Sequence, residues 1–420
     1  MPTQPSLRQT ARTLFDAAVA AADPAAALHR ALARAPLPRP GPGGRLIAIA
    51  VGKAAPAMMT ALLEHVTTPC EALVVTHHEN GATVPGAHVM RAGHPVPDAA
   101  GLAAGEAVMA LLRAAGAQDR VVALISGGGS ALLPAPVQGV TLADKQAVSR
   151  VLLGGGLDIT EMNLVRQQLS QLKGGGLLRL AAPAPVTGYL LSDVIGDDLR
   201  VIASGPTVGP VGTRAEAVAL LQSRGLWQAL PEAARQALSG GGDTGPLPAA
   251  VNTLICSNRQ SLEAMRAAAH GMSAGIVTDT LTGDVAEAAA RIVASFSEPK
   301  APRAWLFGGE TTVVLRGTGR GGRNQELALR VAQAMPAETR CDWVFLSGGT
   351  DGRDGPTEAA GGLVDSGTVG RIAAAGGNLA ALLANNDSHA ALALAGDLLI
   401  TQATGTNVAD VQVLLAAPRT

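Results

Sequence analysis

Lysine, cysteine and aromatic residues are all scarce in this chain of 420 residues. Of its 32 lysine and arginine residues only four are lysines, Lys53, Lys145, Lys173 and Lys300. Three scattered cysteines exclude a disulfide framework and a zinc cluster, so we expect a reducing, cytoplasmic compartment. Aromatic residues make up 2 % of the chain, so stacking on aromatic rings cannot dominate a binding site.

The sequence also lacks long apolar runs and an excess of charge of one sign. No apolar stretch reaches the ~18 residues that a membrane-spanning helix needs, and the first fifteen residues contain no apolar signal segment. The net charge of −1 argues against a broad nucleic-acid surface, which requires basic residues. We therefore expect neither a membrane nor a nucleic acid as partner.

Glycine, in contrast, is abundant, with 51 residues. Short apolar segments alternate with segments of helical periodicity, which predicts α/β domains with parallel sheets. A glycine- and proline-rich segment at 238–250 interrupts this alternation, so we predict an N-terminal α/β domain at 1–243 and a C-terminal one at 250–420. Strands are predicted at 46–52, 72–77, 120–126, 187–193, 251–257, 274–279, 304–310, 311–317 and 342–349, and helices at 7–33 and from about residues 260 and 284.

Three predicted strands run directly into paired glycines, at 125–130, 306–310 and 345–351. Ligands of open parallel sheets bind outside the carboxyl ends of the strands, where glycine lets backbone amides approach an anion closely. The alternative is a tight turn that needs glycine for a positive φ. Three such turns flanked by Ser, Thr, Glu or Asp favour an anion site.

Common enzyme signatures are missing, with one exception. The sequence contains no P-loop, no G-x-S-x-G and no H-E-x-x-H. Residues 317–322 fit the dinucleotide pattern G-x-G-x-x-G, with Asp342 about twenty residues further on. Asp342 begins its predicted strand, whereas a ribose-binding acid belongs at a strand end. A nicotinamide-dependent reductase therefore remains an alternative.

Several polar residues stand where chemistry is expected. Lys53 follows a predicted strand, where its ammonium group can contact a phosphoryl group. The segment 319–326 places two arginines among glycines, and arginine forks match phosphate oxygens. Asp193 and Asp351 follow strands and can hold Mg²⁺ or accept a proton, although such acids also cap helices. His94 lies in a proline-rich turn and is either structural or a substrate contact.

The chain resembles the class II glycerate kinases, whose C-terminal part carries the MOFRL domain and whose members are often labelled hydroxypyruvate reductase of the tartrate-degradation type. The resemblance covers nearly the whole length and rests on blocks at 51–58, 92–101, 124–134, 163–177, 191–208, 308–329 and 347–362. It implies a two-domain α/β fold with a Rossmann-like N-terminal domain, a smaller C-terminal domain and an active site in the cleft between them. The implied activity is ATP-dependent phosphorylation of D-glycerate, mostly at the 2-hydroxyl.

The resemblance and the residue patterns together give a set of candidate roles. Lys53, Arg323 and Asp193 are the predicted catalytic residues. The predicted substrate contacts, including a backbone cradle for the glycerate carboxylate, are Ser126, Gly127, Gly128, Gly129, Ser130 and His94. The predicted nucleotide contacts are Gly308, Gly309, Glu310, Gly322, Asn324, Gln325 and Asp351. Mg²⁺ is expected at Asp193 or Asp351 and ATP as phosphate donor, and a homodimer is compatible with the family. A non-catalytic sensor of glycerate or a sugar phosphate remains an alternative.

Overall fold

The computed structural model describes residues 6–241 and 245–419, which divide into two compact units. One unit spans Pro24–Ile255, and the other combines residues 6–23 with residues 256–419. These units differ from the predicted domains because the first helix joins the C-terminal unit and the division falls later in the chain. The predicted domain end at residue 243 lies outside the described residues.

Helices and strands alternate along most of both units. The helices are α1 (Leu7–Ala21), α2 (Pro24–Arg34), α3 (Ala55–Leu63), α4 (Ala99–Arg113), α5 (Gly129–Leu132), α6 (Leu142–Gly154), α7 (Ile159–Gln168), α8 (Gly176–Ala181), α9 (Arg214–Ser223), α10 (Glu232–Ser239), α11 (Asn258–Ala268), α12 (Val285–Ser295), α13 (Arg323–Ala334), α14 (Thr368–Ala374), α15 (Leu379–Ala384) and α16 (Ser388–Ala395). The strands are β1 (Leu46–Val51), β2 (Cys70–His77), β3 (His88–Ala92), β4 (Arg120–Ile125), β5 (Val186–Leu191), β6 (Ala250–Cys256), β7 (Ser273–Asp284), β8 (Arg303–Thr312), β9 (Cys341–Gly349), β10 (Ala359–Asp365), β11 (Leu398–Ile400) and β12 (Asp410–Pro418).

The first sheet has the strand order β3-β2-β1-β4-β5-β6. Strand β1 pairs in parallel with β2 and β4, and the pairs β2–β3 and β4–β5 are also parallel. Every residue of β1 is buried, as expected for a parallel sheet covered on both faces. The predicted Rossmann-like sheet is confirmed, and its strand order reverses between β1 and β4, where such folds bind ligands.

The second sheet is mixed, with the order β11-β10-β9-β12-β8-β7. Strand β12 lies antiparallel between β8 and β9, whereas β7 pairs with β8 in parallel. The α/β class predicted for this part is confirmed, but the sheet is not purely parallel. As a result, the first residue of β12, Asp410, lies between Gly309 and Gly349 near the ends of β8 and β9.

The predicted helix at 7–33 is interrupted at residues 22–23. Pro24 begins a new helix, because proline is favoured in the first turn, where an N–H would have no helical partner. Helix α1 buries Ala11, Leu14, Phe15 and Ala18, a helical stripe that packs in one core with strands of the second sheet. None of the described helices is long and apolar enough to cross a membrane.

Candidate functional site

A glycine-rich turn follows β4 at the point where the strand order of the first sheet reverses. The Lys53 amide donates to the Gly127 carbonyl at 2.9 Å, which joins the ends of β1 and β4. The Ser126 hydroxyl donates to Val51 O at 3.3 Å and accepts from the Ala54 amide at 3.2 Å. Ser126, predicted to contact substrate, is buried and acts here as the cross-link that fixes the turn.

The glycines of this turn allow polar groups to approach the backbone. A Cβ atom on Gly127 would lie 2.0 Å from Oδ2 of Asp193, and Gly128 has a φ of +85°. The amides of Gly127, Gly128 and Gly129 donate to no other group among the residues that the structure describes. They are therefore available to an anion, as predicted from the strand–glycine pattern.

Lys53, Asp193 and His94 are electrostatically coupled beside this turn. Burial raises the pKa of Asp193, while its own backbone amide and the charge of Lys53 oppose the rise. Burial and the charges of Lys53 and His77 lower the pKa of His94, so its imidazole is neutral at pH 7. A carboxylate with a raised pKa is a better proton acceptor than an ordinary surface acid.

A cavity of about 420 Å³ opens beside the turn within the same unit. Three of the predicted substrate residues, His94, Gly128 and Ser130, line it. The lining also includes Lys145 and Lys173, two of the four lysines of the chain. The cavity is thus large enough for a three-carbon acid and is lined by basic side chains.

Substituting Gly128 by alanine is expected to raise the KM for the small-acid substrate. A Cβ there would lie 3.2 Å from the His94 ring and 3.4 Å from Lys53 Cγ, so it would narrow the turn. Gly139 is a matched control, because its φ is +82° but nothing lies within 4 Å of an added Cβ. Both variants should lose about 1 kcal/mol of stability through backbone strain. Equal KM values in the two variants would contradict a substrate role for the turn.

In the other unit, Arg323 at the start of α13 forms a bidentate pair with Asp410. Its Nε donates to Asp410 Oδ2 at 2.6 Å, its Nη2 to Oδ1 at 3.0 Å, and its Nη1 lies 2.8 Å from Glu310. Burial raises the pKa of Asp410, and the guanidinium opposes this rise. The planar fork is therefore held rigidly, with about a third of the arginine side chain exposed.

The amino end of α13 is occupied by a carboxylate of the chain itself. Asp354 accepts from the amides of Asn324 at 3.1 Å and Gln325 at 2.9 Å, and a Cβ on Gly322 would lie 2.3 Å from its carboxyl carbon. The side chains of Asn324 and Gln325 are buried and bond Ser347, Asp354 and Thr357. Their predicted nucleotide contacts stay predictions, and their observed bonds hold the loop after β9 against α13.

The remaining predicted nucleotide residues also have local structural partners. A Cβ on Gly308 would lie 1.9 Å from Asn258 Oδ1, and one on Gly309 would lie 2.3 Å from the Leu281 carbonyl oxygen. These glycines therefore permit close packing around β8. Asp351 accepts from the Arg353 amide at 3.0 Å, a local turn, and Glu310 is exposed apart from its Arg323 contact.

Four of the six backbone amides of the G-x-G-x-x-G segment at 317–322, those of residues 317–320, are bonded by the chain itself. The Gly317 amide donates to Asn386 Oδ1, the Thr318 amide to Asn385 Oδ1 and the Gly319 amide to the Asn385 carbonyl. Predicted strand 311–317 is wrong beyond Thr312, because these side-chain bonds replace strand pairing. The loop is therefore bound to the segment before α16, which does not favour the reductase alternative.

Sequence reasoning did not identify Asp410, Lys145 or Arg166. No local pattern around Asp410 predicts its role, because it reaches Arg323 only when β12 pairs between β8 and β9. The scarcity of lysine could have marked Lys145 as a candidate, whereas nothing in the sequence distinguishes Arg166 from the many other arginines. Their meeting in one cavity depends on how α6 and α7 pack.

Comparison with known proteins places this geometry in a family. Residues 10–239 match a domain of unknown function, DUF4147, and residues 303–410 match the MOFRL family. A D-glycerate 2-kinase of Thermotoga maritima is 40 % identical over 87 % of this chain and 89 % of that protein. A protein of Agrobacterium vitis with the provisional name hydroxypyruvate reductase is 39 % identical over 98 % of this chain and 94 % of its own length.

A solved structure extends the likeness to three dimensions. The crystal structure of a glycerate kinase from Thermotoga maritima superposes with a TM-score of 0.89 at 35 % identity, covering 97 % of this chain and 99 % of that one. The resemblance inferred from the sequence blocks is thereby confirmed. With its DUF4147 and MOFRL matches and its similarity to these relatives over most of its length, the chain belongs to the class II glycerate kinase family.

Proposed function

We propose that this protein transfers the γ-phosphoryl group of ATP to the 2-hydroxyl of D-glycerate, giving 2-phosphoglycerate and ADP. The observation that carries the proposal is the glycine-rich turn where the sheet order reverses, with free amides beside Lys53 and Asp193. The names glycerate kinase and D-glycerate 2-kinase of its relatives support the same reaction.

The roles follow from the chemistry of phosphoryl transfer, which depends on positioning and charge neutralisation. D-Glycerate binds against residues 126–130 and His94, and Asp193 takes the proton of the attacking hydroxyl. The oxygen of that hydroxyl forms the new bond to the γ-phosphorus. The bond between the γ-phosphorus and the bridging oxygen to the β-phosphate breaks, so ADP leaves. Lys53 neutralises charge on the transferred group, and Arg323 stays the predicted phosphate contact of the other unit.

The carboxylates fit a Mg²⁺ ion that arrives on the ATP phosphates better than a resident metal. Within 6–241 and 245–419, no three His, Cys, Asp or Glu side chains are grouped to hold an ion. Magnesium in kinases is commonly held by one or two carboxylates together with substrate phosphates and water. Asp351, half-buried with one carboxylate oxygen bonded to a local amide, would supply such a ligand, and bound Mg²⁺ would neutralise phosphate charge.

The identity of the phosphorylated product tests the proposed reaction. Purified protein with ATP, Mg²⁺ and D-glycerate should give the phosphorus NMR signal of 2-phosphoglycerate, with one ADP released per product. The same protein with hydroxypyruvate and NADH or NADPH should leave the nicotinamide absorbance unchanged. Formation of 3-phosphoglycerate would contradict the proposed regiochemistry, and cofactor oxidation would contradict the kinase assignment. Cytoplasmic location, a homodimer and the lack of nucleic-acid or membrane partners stay predictions.

A further inference from the structure

The cavity beside the glycine turn contains three basic side chains with no acidic partner among the residues that the structure describes. Lys145 and Lys173 are only 8 % and 7 % exposed, and Arg166 lies between them in sequence on the adjoining helix α7. Lys145 Nζ donates to Leu169 O at 3.1 Å, and Lys173 Nζ to Ser130 O at 2.8 Å. The buried Nε of Arg166 has no hydrogen-bond partner.

No acidic side chain compensates this charge in the part of the chain that the structure describes. Burial, followed by the charge of Arg166, lowers the pKa of Lys145 to about 7. Burial and the charges of Lys145 and Arg166 lower the pKa of Lys173, and burial lowers that of Arg166. Buried cations are costly unless they are paired. A carboxylate in the cavity would supply the missing charge.

A chain of hydrogen bonds fixes how Ser130 faces the same cavity. The Ser204 hydroxyl donates to Asn163 Oδ1 at 2.7 Å, so its single proton is committed. Ser130 Oγ lies 2.8 Å from Ser204 Oγ and must therefore be the donor in that contact. With its proton used, Ser130 Oγ can only accept a hydrogen bond from a ligand. It suits a ligand hydroxyl and repels a carboxylate oxygen.

We propose that this cavity is a hydroxy-acid site in which Lys145, Arg166 and Lys173 bind the carboxylate and Ser130 accepts a hydrogen bond from a hydroxyl. Taking D-glycerate as the occupant rests on the proposed function. The sequence predicted that the glycerate carboxylate binds the amides of the glycine turn, whereas this assignment places it at the three basic side chains. The amides of Gly127, Gly128 and Gly129 are then left for the phosphoryl group beside Lys53.

The carboxylate part is tested with Lys173→Met and ligand-observed NMR titrations of D-glycerate, propionate and glycerol in the absence of ATP. We expect the affinities for D-glycerate and propionate to fall at least 30-fold, whereas weak glycerol binding stays within twofold. Lys300→Met is the matched control, because Lys300 is exposed in the other unit. It should leave all three affinities unchanged.

Thermal unfolding separates a binding role from a structural one. An apolar side chain of similar size removes the desolvation cost of a buried amine that lacks an acidic partner, and this gain offsets the lost hydrogen bond to the Ser130 carbonyl. The ligand-free Lys173→Met protein should therefore unfold at the same or a higher Tm than the native chain. A lower Tm with unchanged D-glycerate affinity would overturn the proposal. If Lys173→Met fails to fold, Lys145→Met provides the same comparison in α6.

The hydroxyl part is tested with Ser130→Ala. This variant should lose about tenfold in D-glycerate affinity and nothing in propionate affinity, because only D-glycerate carries a hydroxyl for Ser130 to accept from. An equal loss for both acids would overturn the assignment of Ser130. Asn163→Leu removes the acceptor of the Ser204 proton, so Ser204 can donate to Ser130 and the discrimination between the two acids should decrease. Asn163→Asp keeps an acceptor for that proton and should preserve the discrimination.

These outcomes separate the site from the reaction. Lys173-dependent binding of D-glycerate without any phosphorylated product would support the hydroxy-acid site and contradict the kinase function. Phosphorylation of D-glycerate with native KM values in both Lys173→Met and Lys145→Met would support the kinase function and overturn the site.

Discussion

Replacing Lys53 by methionine should lower kcat for D-glycerate phosphorylation about 10²–10³-fold, equivalent to about 2.7–4 kcal/mol of transition-state stabilisation, the range seen when one preorganised charge-stabilising donor is lost. Lys53 follows β1, its amide bonds the glycine turn at Gly127, and its charge acts on Asp193 and His94. Its side chain is exposed, so stability should change by less than about 0.5 kcal/mol.

Lys300→Met serves as the control for Lys53→Met, since it removes an exposed lysine far along the chain. Steady-state kinetics at saturating ATP and D-glycerate measure kcat, and thermal unfolding checks that the variant is folded. If Lys53→Met loses less than tenfold in kcat, or if Lys300→Met loses as much, Lys53 does not act on the transferred phosphoryl group.

Replacing Arg323 by alanine should lower the free energy of unfolding of its unit by about 3–5 kcal/mol, because it leaves a buried carboxylate unpaired. Asp410 is 1 % exposed and forms both of its close charged contacts with the Arg323 fork. Without that fork the folded-state pKa of Asp410 rises further above its unfolded value. The destabilisation should therefore be largest near pH 8 and shrink toward pH 5, as the carboxyl takes up a proton.

Denaturant unfolding at these two pH values, followed by the fluorescence of Trp305 and Trp343, measures the effect in the core that contains both rings. Arg320→Ala is the matched control, because its pair with Glu358 is exposed on both sides and should contribute little. The double variant Arg323→Met with Asp410→Leu should recover most of the stability but not kcat. A loss independent of pH would show that Asp410 is not the group left unpaired.

Local patterns predicted much of the site on the first sheet. The apolar run before Lys53 and the run before Ser126 both became buried parallel strands, β1 and β4. Since carboxyl ends of parallel strands meet at one edge, the Lys53 and glycine-turn segments had to come close in space. The hydrogen bond from the Lys53 amide to the Gly127 carbonyl shows that the two segments are in contact.

The segment after β9 shows where local patterns failed. Asp351 and Asp354 lie three residues apart in one loop, yet Asp354 caps α13, whose first residues lie about thirty positions earlier, whereas Asp351 closes a local turn. The glycines at 317–322 match a dinucleotide motif, but asparagines about seventy residues later occupy their amides. In both cases the deciding partner is distant in sequence, so no local spacing reveals it.

The sequence by itself determined the fold class, the family and the strand ends that carry Lys53, the glycine turn and Asp193, because burial periodicity and glycine placement are local properties. Only the tertiary structure decided which charges lack a partner. Three of the four lysines, Lys53, Lys145 and Lys173, lie in the same unit near one turn. Whether a lysine is neutralised depends on side chains that folding brings within a few ångströms, which composition does not encode.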